Sequence, residues 1–187
     1  MKVKQETQIA KKEIKAWGTF YHTPILNFDK NGIDVRDING RPLGVKLSES
    51  DICSAAMEGT FSFDSKIYTY SGETNEHVFN CRHKNSGHVK FKLSSSTYGE
   101  GSRGNELIPY YSLACDNSVF PFGSILFIKD AVGTVLRNGK AHGGFFRCDD
   151  VGGLIKGNHL DFYIGFDKIN PFEFVRSKEE YTFTVTY

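Results

Sequence analysis

The stretch Cys148 to Tyr163 reads Cys-Asp-Asp-Val-Gly-Gly-Leu-Ile-Lys-Gly-Asn-His-Leu-Asp-Phe-Tyr, and it constrains the fold more than any other. Two carboxylates, Asp150 and Asp161, flank a segment carrying Gly152, Gly153 and Gly157. Glycine permits backbone angles and close approaches that a Cβ blocks, so this segment is expected to fold back tightly and return Asp161 towards Asp150. From Leu160 onward the chain alternates, with Leu160, Phe162 and Ile164 on one face and Asp161 and Tyr163 on the other. That is strand periodicity. An acid at a strand start beside a glycine-rich turn can be held rigidly at the rim of a sheet.

The remaining composition agrees with a β protein. The 187 residues include 16 Phe, 9 Tyr and 19 Gly, and leucine is scarce, which favours strands over helical bundles. The length suits one domain, with room for a substantial insertion. A net charge of +1 excludes a general polyanion binder, so no nucleic acid is expected as a partner. No apolar run reaches the roughly 18 residues of a membrane span, and Met1 to Lys15 shows no apolar core of a secretory signal. Four cysteines permit three pairings if all are bridged. Cys53–Cys81 is the preferred bridge because both lie in one segment, and free buried thiols are the competing expectation.

Read in order, residues 1–15 form a polar tail, and Ala16 to Leu26 form the first strand. Ile33 and Val35 alternate between two Asn-Gly turn signals. Ser48 with Asp51 three residues on marks a helix start, Ile52, Ala55 and Ala56 give its apolar stripe, and Gly59 stops it. Thr60 to Tyr70 reads as a hairpin turning at Asp64-Ser65-Lys66, followed by short strands at Val78/Phe79 and Val89/Phe91. Ser94 to Glu106 is a long loop of the kind that is usually functional or mobile. Further strands are expected at Ile108–Cys115, Ser124–Lys129, Gly143–Cys148, Leu160–Phe166 and Tyr181–Tyr187. Spacing alone gives a small, mostly antiparallel barrel or sandwich. His77, Cys81, His83 and His88 match no zinc spacing, no Gly-x-Ser-x-Gly elbow exists, and Glu100 to Gly104 is no phosphate loop, so neither metal nor cofactor is expected.

The run Asp150 to Tyr163 resembles the signature of the three-aspartate (3D) domain of membrane-bound lytic transglycosylase A and related cell-wall proteins, Asp-x-Gly-Gly-Ala-Ile-Lys-Gly-x-x-x-Asp-x-Tyr, with Leu154 in place of the usual Ala. Ala114 to Ser124 resembles the family's upstream segment and puts Asp116 at its third aspartate, and Thr19-Phe20-Tyr21 resembles its opening Thr-x-Tyr. The resemblance covers roughly residues 16–25 and 108–187. It implies a mostly β fold, a six-stranded double-psi β-barrel spanning 16–187 with an inserted α+β subdomain at about 27–107.

It also implies an activity, cleavage of the MurNAc–GlcNAc β-1,4 bond of peptidoglycan with 1,6-anhydroMurNAc formation. By motif position Asp161 is the catalyst, acting as acid and then as base, because protonating a glycosidic oxygen needs a carboxyl that stays protonated near neutrality. Asp150 would orient substrate or raise the Asp161 pKa, and Asp116 is the third catalytic candidate. Thr19, Tyr21, Lys156 and Tyr163 are the candidate substrate contacts, and Asp149 is expected on the surface by alternation. An inverting hydrolase on the same barrel and a non-catalytic glycan-binding module are the rival readings. The implied place of action is the cell wall, in the periplasm or outside the cell, as a wall remodeller, a phage lysin or a secreted effector, the last with an immunity protein as partner.

Overall fold

A computed structural model describes residues 12–73 and 89–187. In chain order these form β1 (Glu13–Tyr21), β2 (Ile33–Arg36), β3 (Pro42–Leu47), α1 (Glu49–Glu58), β4 (Thr60–Phe63), β5 (Lys66–Glu73) and β6 (Val89–Ser94). There follow β7 (Ser112–Ala114), β8 (Ile125–Ile128), β9 (Phe145–Asp150), β10 (His159–Tyr163) and β11 (Phe183–Thr186). The expected strand at Val78/Phe79 and the expected partner cysteine, Cys81, lie outside the described residues.

Six strands close into a barrel in the order β1-β10-β7-β9-β8-β11. Its two parallel pairs, β1 with β10 and β7 with β9, sit among antiparallel neighbours, as the expected double-psi barrel requires. Alternation fills the interior: Leu160 and Phe162 of β10 meet Leu113, Leu126, Phe146, Phe172 and Phe183 in one buried cluster. The Phe162 ring contacts the Phe146 ring edge-on, with centroids 5.1 Å apart. Gly18 makes room for it, since a Cβ there would stand 2.8 Å from the Phe162 ring.

A buried disulfide joins Cys115, just after β7, to Cys148 of β9, across 33 residues. Closing a loop of that length removes about 3–4 kcal/mol of chain entropy from the unfolded state.

Between β1 and β7 the chain builds a second core from Val35, Leu47, Ile52, Phe61 and Phe91. The Ser48 side chain caps α1 by accepting from Asp51 N at 3.1 Å, and Gly59 ends it at φ 78°. The β4–β5 hairpin turns through Asp64 and Ser65, both left-handed (φ 49° and 57°), a conformation whose twist suits a two-residue turn.

Three segments depart from the sequence reading. Glu13 to Lys15 are not tail but strand, paired with Val185 and its neighbours; backbone bonding to a distant strand outweighs their polarity. The strand expected from Ile108 shrinks to Ser112–Ala114, because Tyr110 takes φ 70° and turns the chain before it. Asp149 is buried (2% exposed) instead of on the surface. The register explains it: Leu113 faces Cys148 but Ala114 faces Asp150, so Asp149 is the extra residue of a β-bulge and alternation resets there. Its carboxylate accepts from Ser112 Oγ at 2.6 Å and from Arg147 Nε at 2.5 Å.

Candidate active site

One rung of the barrel rim gathers the candidate residues. Thr19 of β1 is in register with Asp161 of β10, Asp161 with Ala114 of β7, and Ala114 with Asp150 at the end of β9. Asp150 and Asp161 are therefore two strand spacings apart, about 10 Å between backbones. Ala114, with its small side chain, holds the register position between them. The turn that brings Asp161 back works through two of its glycines. Gly157 takes φ 63°, and a Cβ on Gly152 would lie 2.5 Å from the Ile155 side chain. Gly153 faces open space.

Ala114, Asp150 and Asp161 of this rung form the floor of a cleft of about 690 Å³. The far wall comes from the C-terminal end of α1 and from β5, and the loop around Gly101 and Ser102 closes one side. That loop, expected from its composition to be functional or mobile, is pinned down. Gly101 packs so closely on β9 that a Cβ would meet the Asp149 carbonyl at 2.2 Å. Ser102 N then donates to Asp150 Oδ1 at 2.8 Å. A hydroxyl cluster anchors the loop's other side. Tyr163 OH and Thr23 Oγ1 lie 2.6 Å apart, both donate to the Tyr98 carbonyl, and Thr23 also meets Thr60 Oγ1 at 2.8 Å.

The electrostatics follow from burial. Asp161 is pushed up to about 7, first by desolvation and then by the charges of Glu58 and Asp150, against a hydrogen bond from Thr19 Oγ1 at 2.5 Å. Asp150 is also raised by burial, opposed by the backbone donors Val151 N and Ser102 N and by Tyr21 OH at 3.3 Å. Burial and the neighbouring acids hold Tyr21 well above the usual phenol range, so it stays a donor to Asp150.

Glu58 was not among the sequence candidates. It is the last residue of α1, lines the cleft, and accepts from His22 N at 2.8 Å. Burial raises its pKa. Its one sequence signal is an acid in a final helical turn that holds no basic residue, where the helix dipole disfavours negative charge.

Of the predicted residues, Asp161, Asp150, Tyr21 and Thr19 come together. The other three are placed elsewhere. Asp116 is half-buried and outside the cleft, where it accepts from Ser118 and from Gly157 N at 2.7 Å, bonds that lower its pKa to about 2. It braces the turn. Lys156 is exposed on that turn, also outside the cleft, and its charge adds to the lowering of Asp116. Tyr163 is fully buried, and its hydroxyl is committed to the loop anchor. His77, Cys81, His83 and His88 lie outside the described residues. Among the described residues no group of His, Cys, Asp or Glu is arranged to hold a metal ion.

Residues 111–170 match the 3D domain, and Asp116, Asp150 and Asp161 all fall within that match. The chain is 31% identical over 96 residues to a membrane-bound lytic murein transglycosylase A homolog of Buchnera aphidicola subsp. Schizaphis graminum. That alignment takes in 49% of this chain and 26% of the relative, so the match spans about a quarter of the curated protein. Among solved structures the chain resembles E. coli MltA with bound chitohexaose (TM-score 0.63, 18% identity, 92% of this chain and 71% of that one). It also resembles the membrane-bound lytic murein transglycosylase of Agrobacterium tumefaciens (TM-score 0.60, 16% identity, 91% and 73%). MltA from Neisseria gonorrhoeae is similar too (TM-score 0.60, 14% identity, 93% and 72%). At these identities the structural likeness establishes the fold, the mostly β barrel expected from the motif.

Proposed function

We propose that this protein is a peptidoglycan lytic transglycosylase that cuts the MurNAc–GlcNAc β-1,4 bond with Asp161 as its catalyst and without a cofactor. The observation that carries the reading is the Asp161 carboxyl, which burial brings to about 7 on the floor of an open cleft. A group poised there can give a proton and take one back at neutral pH. In the first step Asp161 donates its proton to the glycosidic oxygen as the bond from C1 breaks. In the second, the Asp161 carboxylate takes the proton of the muramic C6 hydroxyl, whose oxygen closes onto C1. The products are a GlcNAc-ended strand and a 1,6-anhydroMurNAc end, and no water is consumed.

Asp150 keeps Asp161 protonated through its charge, and it ties the Ser102 loop and Tyr21 to the rung. Described residues of the 27–107 insertion, from α1, β5 and the Gly101–Ser102 loop, act as the wall facing the barrel. The named activity of the Buchnera relative and the chitohexaose held by the E. coli structure support a β-1,4-linked amino-sugar glycan as substrate. In this reading the protein works on the wall from the periplasm or from outside the cell, as a wall remodeller, a phage lysin or a secreted effector toxin, the last with an immunity protein as partner.

The test is digestion of purified peptidoglycan by the wild type and by Asp161→Asn, with products read by mass spectrometry. Anhydro-muramyl products from the wild type that vanish in the variant are expected. Anhydro products from both proteins would remove Asp161 from the role, and binding without cleavage by either would leave a glycan-binding module.

A further inference from the structure

We propose that Lys92, Thr69 and Ser71 form a subsite on the far wall of the cleft that binds the N-acetyl group of an amino sugar. The inference rests on the reading of the cleft as a glycan groove, and it adds the substituent that the groove selects. All three residues belong to the insertion and lie outside the residues that match the 3D domain.

One rung of the inserted sheet builds this wall. Thr69 of β5 is in register with Lys92 of β6, so their side chains share a face, and both line the cleft. Tyr68, one residue earlier, turns the other way into the second core. Beyond it Tyr70 pairs with Phe91 and Gly72 with Lys90, which leaves Ser71 as the extra residue of a β-bulge. Bulges re-aim side chains, and Ser71 also lines the cleft.

The Thr69 and Ser71 hydroxyls are buried without a hydrogen-bond partner, and Thr69 as a whole is only 5% exposed. A buried hydroxyl left unmatched costs stability, so a strand that had only to pack here would be better served by valine. Lys92 stands beside them with its side chain 50% exposed, the one cation among the described residues that line the cleft. Its amine donates to Glu100 Oε2 at 2.5 Å, while Glu100 Oε1 accepts from Ser94 Oγ at 2.6 Å. Two of its three N–H donors remain. Glu100 sits on the loop whose Ser102 N holds Asp150, which fixes this wall relative to the Asp161 rung.

The other polar groups of the cleft are committed. Asp150 accepts from Val151 N, Ser102 N and Tyr21, Glu58 accepts from His22 N, and Asp161 accepts from Thr19. The unspent capacity is that of two hydroxyls and an ammonium. An acetamido group matches it, because its carbonyl accepts from the ammonium or a hydroxyl while its N–H donates to a hydroxyl oxygen. A protonated free amine at the same carbon accepts nothing and meets Lys92 with like charge.

Binding to Asp161→Asn tests the subsite, since in that background the probe stays whole. The probes are the β-1,4-linked hexamers of N-acetylglucosamine and of glucosamine, compared by calorimetry at pH 6, where the free amines carry protons. The acetylated hexamer is expected to bind at least about ten-fold more tightly. Lys92→Met weakens it by about ten-fold and Thr69→Val by about five-fold, the worth of a charged and of a neutral hydrogen bond. Lys92→Met does not weaken the glucosamine hexamer, and Thr69→Ser restores what Thr69→Val loses. Because Thr69 Oγ1 bonds nothing in the protein, Thr69→Val melts no lower than its parent, and a lower melting point overturns the proposal. Equal or tighter binding of the glucosamine hexamer overturns it, as does no binding of the acetylated one. So does undiminished affinity in folded Thr69→Val, which decides the matter even if Lys92→Met does not fold. A protein that shows these affinities yet releases no anhydro-muramyl product from peptidoglycan contradicts the proposed function and leaves the subsite standing.

Discussion

Thr19 and Asp161 face each other in register across a parallel strand pair, with the hydroxyl oxygen 2.5 Å from carboxyl Oδ1. This hydrogen bond is the one influence on Asp161 that favours its ionised form, set against burial and two neighbouring acids. Thr19→Val therefore raises the Asp161 pKa above about 7, and the alkaline limb of the pH–activity profile moves up by about half a unit to one unit. Thr19→Ser restores it. A profile unmoved by Thr19→Val would show that the contact does not act on the carboxyl.

Glu58 supplies charge from the opposite wall. Glu58→Gln keeps an oxygen for His22 N but removes the charge that raises Asp161, so the alkaline limb shifts to lower pH, by roughly half a unit. The same change relieves an acid at a helix C-terminus and stabilises the fold by about 0.3–1 kcal/mol. Thermal denaturation and a pH–rate series on one preparation check both outcomes. An upward shift of the limb would contradict the assignment.

A carboxyl raised by burial makes the fold less stable wherever it must ionise. The folded pKa of Asp161 lies above the ordinary 3.8, so the cost is absent below about pH 4, grows as pH rises towards 7, and levels off above that. Asp161→Asn removes it. The variant is expected to match the wild type at pH 4 and to exceed it at pH 8 by on the order of 2 kcal/mol in urea unfolding. A gain independent of pH would mean that Asp161 does not titrate in this window.

Cys115 and Cys148 tie β7 to β9 directly beneath the Ala114–Asp150 register. The double change to Ala costs about 3–4 kcal/mol of stability, the loop-closure entropy of 33 residues. Chemical denaturation of the double variant measures it, and a loss below about 1 kcal/mol would place the bridge outside the structural framework.

How much of this was legible in the sequence depends on the range of the cause. Local causes read well: the Ser48 cap and Gly59 stop of α1, the hairpin at Asp64-Ser65, and the alternation that sends Phe162 inward and Asp161 to the rim. The ordered motif gave Asp150 and Asp161 together, and the cleft contains both. What failed depends on partners far along the chain. Asp149 was misplaced because a bulge against β7 resets the alternation, and nothing near Asp149 in sequence announces it. Tyr163 shares the Asp161 face but lies under the 94–106 loop, whose Tyr98 carbonyl claims its hydroxyl. Asp116 follows the family pattern, yet its carboxylate is spent on Gly157 N and Ser118. Glu58 enters the site only because α1 ends against the barrel rim.

In the proposed reaction Asp161 recovers a proton from the substrate's own hydroxyl and not from water. Digesting peptidoglycan in water labelled with heavy oxygen tests it most directly. Muramyl ends that carry no label and are lighter than reducing ends by one water are expected. Reducing MurNAc ends bearing the heavy oxygen would contradict it and make the protein a hydrolase.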